Sequence, residues 1–242
     1  MKIAAVIPAR YQSSRFPGKP LARIAGRTMI EWVYRHAAKA GGFAGIIVAT
    51  DDQRILSEVS RFGGNAEMTD NTIKSGSERV WAVVKDKSYD AVVNIQGDEP
   101  LISEALIREI SQSLRKNPVV TAARRNGSYE DFCSRNVVKV VCDLEGRALY
   151  FSRAPIPFCD EDRFDEFFQH IGIYGYTIEK LEAFIRSGAS VVEAKENLEQ
   201  LRFLFMGQAM QVIQTDFVSH GVDVPGDIAK IEPLLEGRND QD

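Results

Sequence analysis

"KIAAVIPARYQSSRFPGKPL", residues 2–21, decides how the rest of the chain is read. Residues 2–7 are a short apolar run stopped by Pro8, which predicts a buried strand. The next stretch carries three cations, Arg10, Arg15 and Lys19, and no acid. The first carboxylate is Glu31, although the whole chain has a formal charge of −4. Pro8, Pro17, Pro20 and Gly18 keep this stretch out of a regular helix. A long, proline-stiffened loop at a strand end, with cations and open backbone N–H groups, suits a triphosphate. The plainer reading is a solvated basic loop, and the position at a strand end favours the functional one. The stretch fits neither G-x-G-x-x-G nor G-x-x-x-x-G-K-[ST], so dinucleotide-binding and P-loop readings lose their usual support.

Outward from it, strand and helix patterns alternate. Residues 28–40 predict a helix with Thr28 as a candidate N-cap, Met29, Trp32, Val33 and His36 on one face, and Gly41-Gly42 at its end. "GIIVAT" (45–50) predicts a strand, and Asp51 or Asp52 caps a helix running to about Phe62. A short strand (65–68), a helix (76–87), a strand (89–95) and a helix capped by Ser103 follow. This βαβαβαβα order implies an α/β fold, a mostly parallel sheet with helices on both faces. After Pro118 the runs "VVTAAR", "NVVKVVCD", "RALYFSR" and "HIGIYGYT" are strand-like with little helix between them. Residues 119–178 therefore read as a mixed or antiparallel extension of the sheet, a candidate dimerising arm within one domain spanning 1–242. Helices return at 178–187 and about 195–206, "AMQVIQTD" is a late strand, and Pro225 begins a last helix.

The bulk numbers exclude several classes. The 242 residues are 44% hydrophobic and 26% charged, as in an ordinary soluble domain. Five apolar residues before Pro8 are too few for a secretory core, and no run approaches the ~20 apolar residues of a membrane helix. The acidic balance gives no support for sequence-blind nucleic-acid binding. Cys133, Cys142 and Cys159 form no CxxC pair, which argues against a disulfide framework or a zinc site and suits a reducing cytoplasm.

Ligands of such sheets bind at the carboxyl ends of the strands. Asp98, in "NIQGDEP", lies just past one, where a carboxylate facing phosphates commonly holds Mg²⁺; the alternative is a turn aspartate. In "SGSER" (75–79), Ser75, Gly76 and Arg79 read on spacing alone as an ordinary helix start. His170 and Tyr174, four apart, share a face with Gly172 on a strand and suit either a cavity wall or a half-buried core. Glu199 and Gln200, in "NLEQLRFL", read as the polar side of a helix. Asp223 is a second metal ligand or an anion near a helix start.

Together, "IPARYQSSRFPGKPL", "ATDD" (49–52), "NIQGDEPLI" (94–102), "YFSRAPIPF" (150–158), "HIGIYGY" (170–176), "LEQLR" (198–202) and "GVDVPGD" (221–227) resemble the 3-deoxy-manno-octulosonate cytidylyltransferase (CMP-Kdo synthetase) family, in that family's order. The resemblance runs from about residue 3 to residue 230. It implies a Rossmann-like nucleotidyltransferase fold and a homodimer formed through the sheet extension. It implies that CTP and Kdo, with Mg²⁺, give CMP-Kdo and pyrophosphate for lipopolysaccharide biosynthesis. By the same resemblance Arg10, Lys19 and Asp98 are catalytic, and Asp98 and Asp223 hold the metal. Pro8, Ala9, Arg10, Arg15, Lys19, Ala49, Thr50, Asp51, Ser75, Gly76, Arg79 and Gln96 surround the nucleotide. Gln96, Arg153, His170, Tyr174, Glu199 and Gln200 surround the sugar acid, Arg153 suiting its carboxylate. Where the family commonly has H-x-S-G-T-[DE]-R, this chain has Ile73 and Ser77, and "VPGD" replaces "TPED". These departures leave the 8-amino analogue of Kdo, or another keto-acid sugar such as a sialic acid, as alternative acceptors.

Overall fold

Ile3, Ala5, Ile7 and Ala9 bury on one side of a sheet, and Ala4 and Val6 on the other. The opening run is thus the two-faced strand that its apolar continuity demands. The computed structural model describes residues 1–239. From this strand, β1 (Ile3–Ala9), the chain passes through a small hairpin, β2 (Arg23–Ile24) and β3 (Arg27–Thr28), into α1 (Met29–Ala40). Then come β4 (Gly45–Thr50), α2 (Gln53–Arg61), β5 (Ala66–Met68), α3 (Gly76–Val84), β6 (Ala91–Asn94) and α4 (Glu104–Ser113). The second half holds β7 (Val119–Asn126), α5 (Tyr129–Cys133), β8 (Lys139–Cys142), β9 (Ala148–Ser152), β10 (Phe167–Thr177), α6 (Ile178–Ser187), α7 (Val191–Glu196), α8 (Leu201–Phe205), β11 (Gln211–Gln214) and α9 (Ile228–Asn239).

The strand order is β11-β7-β10-β6-β1-β4-β5, parallel except for β10. α1, α2 and α4 cover one face through Ile30, Val33, Ile55, Val59 and Ile110. α3, α6 and α8 cover the other through Val80, Leu181, Phe184 and Phe203. Each such side chain contributes about 1.5–3 kcal/mol on burial, so the two layers outweigh any single polar contact described below. A third cluster, with Trp32, Leu101, Val222, Ile231 and Leu235, seats α9 and the segment before it near the mouth of the sheet.

Three differences from the sequence reading have physical causes. β7 and β10 are inner strands of the main sheet, β10 lying antiparallel between β6 and β7; only the β8–β9 hairpin departs from it. The helix expected over about 195–206 is two helices, α7 and α8, because Asn197 takes a left-handed conformation (φ 53°) between them. Thr28 occupies the N-cap of α1 but makes no cap bond; its hydroxyl instead donates to Glu58 Oε1 at 2.9 Å. The caps at Asp52, Ser75 and Ser103 form as their sequences predict.

Candidate active site

Register brings the site together at the carboxyl edge of the sheet. Pro8 pairs with Ala49 and Ala9 with Thr50, so the ends of β1 and β4 lie side by side. β6 ends beside them, and its following turn crosses over β1: a Cβ on Gly97 would meet Pro8 O at 2.9 Å, so only glycine permits the approach. The basic loop is ordered by its own backbone. Gly18, at φ 74°, donates to Tyr11 O at 2.8 Å, and a 3₁₀ turn at Lys19–Leu21 follows. Arg54 lies 3.4 Å over the Tyr11 ring and pins the loop to α2.

A cavity of about 380 Å³ opens there. Pro8, Ala9, Arg10, Arg15 and Lys19 line one side, Ser75, Gly76 and Arg79 another, and Gln96, Asp98, Glu199 and Asp223 the rest. Pro20, read above only as a helix breaker, also lines it, with Ser13, Ser14, Lys74 and Gly97, which the sequence reading did not name as site residues. Lys74 was the detectable one, a cation directly before the Ser75-Gly76 helix start.

Charges in the cavity are paired across it. Lys19 Nζ lies 2.6 Å from Asp98 Oδ2 and 3.9 Å from Asp223 Oδ1, and donates to Val222 O at 2.8 Å. Arg15 Nη2 donates to Asp223 Oδ1 at 3.0 Å. The ammonium of Lys19 therefore stands between two carboxylates, where a metal cation would also be attracted. No group of three or more His, Cys, Asp or Glu able to hold a metal occurs among the described residues. Two carboxylates with open solvent and phosphate positions still suit a hard divalent ion that keeps waters and substrate oxygens.

Several candidates prove structurally committed. Arg79 is 2% exposed and donates to Asp51 Oδ2 at 2.9 Å, to Ile73 O at 3.0 Å and to Thr69 Oγ1. Asp51 thus neutralises Arg79 rather than facing the cavity, and Ala49 and Thr50 are buried strand residues. Ser75 Oγ accepts from Glu78 N, the plain cap reading. Arg153 is not among the lining residues; its guanidinium donates to Glu196 O (2.9 Å), Arg135 O (3.0 Å) and Asn197 O (3.3 Å).

On the acceptor side, His170, Tyr174 and Gln200 are likewise not among the lining residues; a register shift in β10 between Ile171 and Tyr174 still leaves the rings of His170 and Tyr174 5.5 Å apart. His170 Nε2 lies 2.9 Å from Thr121 Oγ1, whose hydroxyl donates to Ile173 O at 2.8 Å. The imidazole is consequently the donor in that pair. The ring also packs edge-on against Phe151, and burial pushes it down to about 3, so it is neutral. Burial likewise pushes the Tyr174 hydroxyl well above its ordinary range. Glu199 accepts from Ser77 Oγ at 2.8 Å, and burial raises its carboxyl. Gln200 is 4% exposed, and its buried Nε2 has no hydrogen-bond partner. Glu99, beside Asp98, was missed by the sequence reading; burial first and Asp98 next push it up to about 7.

Comparison with known proteins fits this geometry. A family profile described as cytidylyltransferase matches residues 4–213. The 3-deoxy-manno-octulosonate cytidylyltransferases of Geotalea daltonii and Geobacter metallireducens are each 46% identical, covering 98% and 97% of this chain and 100% and 98% of theirs. A solved CMP:2-keto-3-deoxy-manno-octonic acid synthetase in complex with CTP superposes with a TM-score of 0.93 at 37% identity, covering 98% of this chain and all of that one. A 4-diphosphocytidyl-2C-methyl-D-erythritol synthase from Anaerococcus prevotii shares the fold alone, at 16% identity and a TM-score of 0.66 over 97% of this chain and 98% of its own. On these matches the chain belongs to the cytidylyltransferases, in the 3-deoxy-manno-octulosonate cytidylyltransferase (CMP-Kdo synthetase) family.

Proposed function

We infer that the chain joins CTP to the anomeric hydroxyl of Kdo, giving CMP-Kdo and pyrophosphate. The observation that carries this reading is the cavity in which Arg15 and Lys19 face Asp98 and Asp223 at the carboxyl ends of β1 and β6. The names of the relatives support Kdo as acceptor, and nothing in them favours the 8-amino analogue or a sialic acid.

The sugar hydroxyl oxygen attacks the α-phosphorus, the bond to pyrophosphate breaks, and the hydroxyl proton leaves. Such a transfer needs placement and charge neutralisation more than covalent help. Arg10, Arg15 and Lys19 would hold the triphosphate and stabilise the departing pyrophosphate. Pro8, Ala9, Ser75, Gly76 and Gln96 would frame the nucleotide, with Arg79 and Asp51 keeping the wall rigid as a buried pair. Asp98 and Asp223 would hold a divalent cation, Mg²⁺ in this reading, which neutralises phosphate charge and lowers the pKa of the attacking hydroxyl.

For the sugar acid, neutral His170, Tyr174, Glu199 and the unpartnered amide of Gln200 would supply hydrogen bonds. Arg153 would reach the carboxylate only by giving up a carbonyl partner. Leu144, Leu149, Tyr150 and Phe158, exposed on and after the β8–β9 hairpin, suit a contact with a second copy of the chain. No helix among the described residues is long and apolar enough to cross a membrane, and a cytoplasmic location is part of the same reading.

The test is pyrophosphate release with CTP and Kdo, run beside other nucleotides and sugar acids. Release with CTP plus Kdo, lost in Asp98→Ala, is expected. Release with another nucleotide or acceptor and none with CTP plus Kdo would overturn the reading, and a fully active Asp98→Ala would remove the proposed metal site.

A further inference from the structure

Asp223, one of the two acids facing Lys19, is not delivered by regular structure. It lies in residues 215–224, between β11 and a 3₁₀ turn at Pro225–Asp227, a stretch without helix or strand. What fixes its height above the sheet is a set of contacts to the turn after β6. Ser219 Oγ donates to Glu99 Oε1 at 2.5 Å. The backbone N–H of His220 also faces the Glu99 carboxylate and favours its charged form. Val222 N donates to Asp98 O at 3.0 Å, and Lys19 Nζ to Val222 O. Gly221 passes so close that a Cβ there would sit 3.2 Å from Glu99 Oε1.

Val222 is fully buried and anchors the segment, but an apolar side chain does not set the orientation of the peptides around it. The contacts of Ser219 and His220 with Glu99 do, three and two residues before the buried side chain. Glu99 Oε2 is buried and has no partner, so this carboxyl is held in the interior beside Asp98 at a cost that nothing else on the turn offsets. A group placed this way serves its Oε1 contacts.

We propose that Glu99 is a positioning residue: it latches residues 219–222 onto the turn carrying Asp98, and so sets Asp223 opposite Asp98 across Lys19. The proposal rests on the reading of those two acids as the cation-holding pair, but the latch itself does not depend on what the chain catalyses.

The test separates the two. Hydrogen exchange of the full chain, without nucleotide or metal, reads the latch directly at the His220 and Val222 amides. Glu99→Leu should speed exchange there at least tenfold while β1 and β6 amides keep parental rates. Ser219→Ala, which cuts the same bond from the other side and leaves the interior intact, should do so by a few fold, and covers a Glu99→Leu chain that fails to fold. Glu99→Gln, which still accepts through Oε1, should restore parental protection. Titration with Mn²⁺ alone, followed by its paramagnetic resonance signal, should show affinity weakened about tenfold in Glu99→Leu and within threefold of parent in Glu99→Gln. Parental exchange at His220 and Val222 in Ser219→Ala, or in a folded Glu99→Leu, would overturn the latch. Loosened exchange with unchanged Mn²⁺ affinity would overturn its link to Asp223. Loss of CTP-dependent pyrophosphate release is not used, so failure of the activity reading would leave the exchange result standing.

Discussion

Arg202→Met should be the most destabilising single change next to the acceptor side. Arg202 and Glu193 are each about one-tenth exposed, joined by Nε–Oε2 at 2.7 Å and Nη2–Oε1 at 2.5 Å. Arg202 also donates to Phe184 O at 3.2 Å and lies 4.0 Å over the Phe184 ring. Glu193 is busy too: it accepts from Ser190 N at 3.0 Å, closing the capping box of α7. Removing the arginine strands a buried carboxylate, which costs about 3–5 kcal/mol. At about 2–4 °C per kcal/mol for a chain of this size, the midpoint should fall by roughly 6–20 °C. Neutralising the carboxyl at the same time should recover much of this, because Glu193→Gln can still accept from Ser190 N. Urea and thermal unfolding of both single variants and the double variant close the cycle, with a coupling of about 2 kcal/mol or more expected. The pair also braces the turn that carries Glu199 and Gln200, so KM for Kdo should rise in Arg202→Met more than KM for CTP. Additivity of the two changes to within about 0.5 kcal/mol would refute the argument, since the carboxylate would then not depend on the guanidinium.

Lys19→Met frees both acids from their ammonium, so Mn²⁺ affinity without nucleotide should rise about tenfold while kcat/KM with CTP falls ~100-fold or more; unchanged or weaker metal binding would count against the pairing. His170 titrates near 6.5 when unfolded and about 3 when folded, so below pH 6.5 the unfolded chain binds the extra proton and stability falls as pH drops. The ceiling is about 1.4 kcal/mol per pH unit. His170→Gln should flatten the slope between pH 4 and 6 in urea titrations, and an identical slope would refute the buried neutral ring. Ser77→Ala removes the hydroxyl that holds Glu199, so KM for Kdo should rise about tenfold with KM for CTP near parental, and Ser77→Thr should restore it; equal effects on both substrates would remove Ser77 from the acceptor side.

Local signals made much of the fold legible. β1, β4, β6 and α1, with the caps at Asp52 and Ser103, each announce themselves within a dozen residues, and the structure has them. The place of β10 was not legible, because its partners in β6 lie some eighty residues back and either hydrophobic pattern would suit an edge or a centre. The break at Asn197 was hidden for another reason: the apolar spacing continues through it, and asparagine is among the few residues that tolerate a left-handed conformation. In the site, Arg10, Arg15, Lys19 and Asp98 stood out by their place after a strand end, whereas Asp223 stayed open until the family resemblance was added; the structure brings all five to one cavity. That Asp51 would be consumed by Arg79, and that Arg153 would bond three carbonyls, depends on tertiary neighbours that no spacing encodes.

The basic start of an acidic chain follows from these pairings. Arg15 and Lys19 do not stand as bare cations waiting for phosphate; Asp223 and Asp98 already neutralise them. A triphosphate arriving alone must pull each cation from its carboxylate and leave two acids facing its own negative charge. A divalent cation arriving alone must displace the Lys19 ammonium, which sits 2.6 Å from one acid and 3.9 Å from the other. Arriving together they would exchange partners: Arg15 and Lys19 would turn to the phosphates, Asp98 and Asp223 would hold the cation, and neither acid nor either cation would be left without a counter-charge. The two should therefore bind with positive coupling, and by linkage each strengthens the other by the same factor. On this view the acids are as much a part of the triphosphate site as the cations. That is why the loop at residues 10–21 carries no acid of its own: its counter-charges come from the turn after β6 and from the segment that Glu99 holds in place.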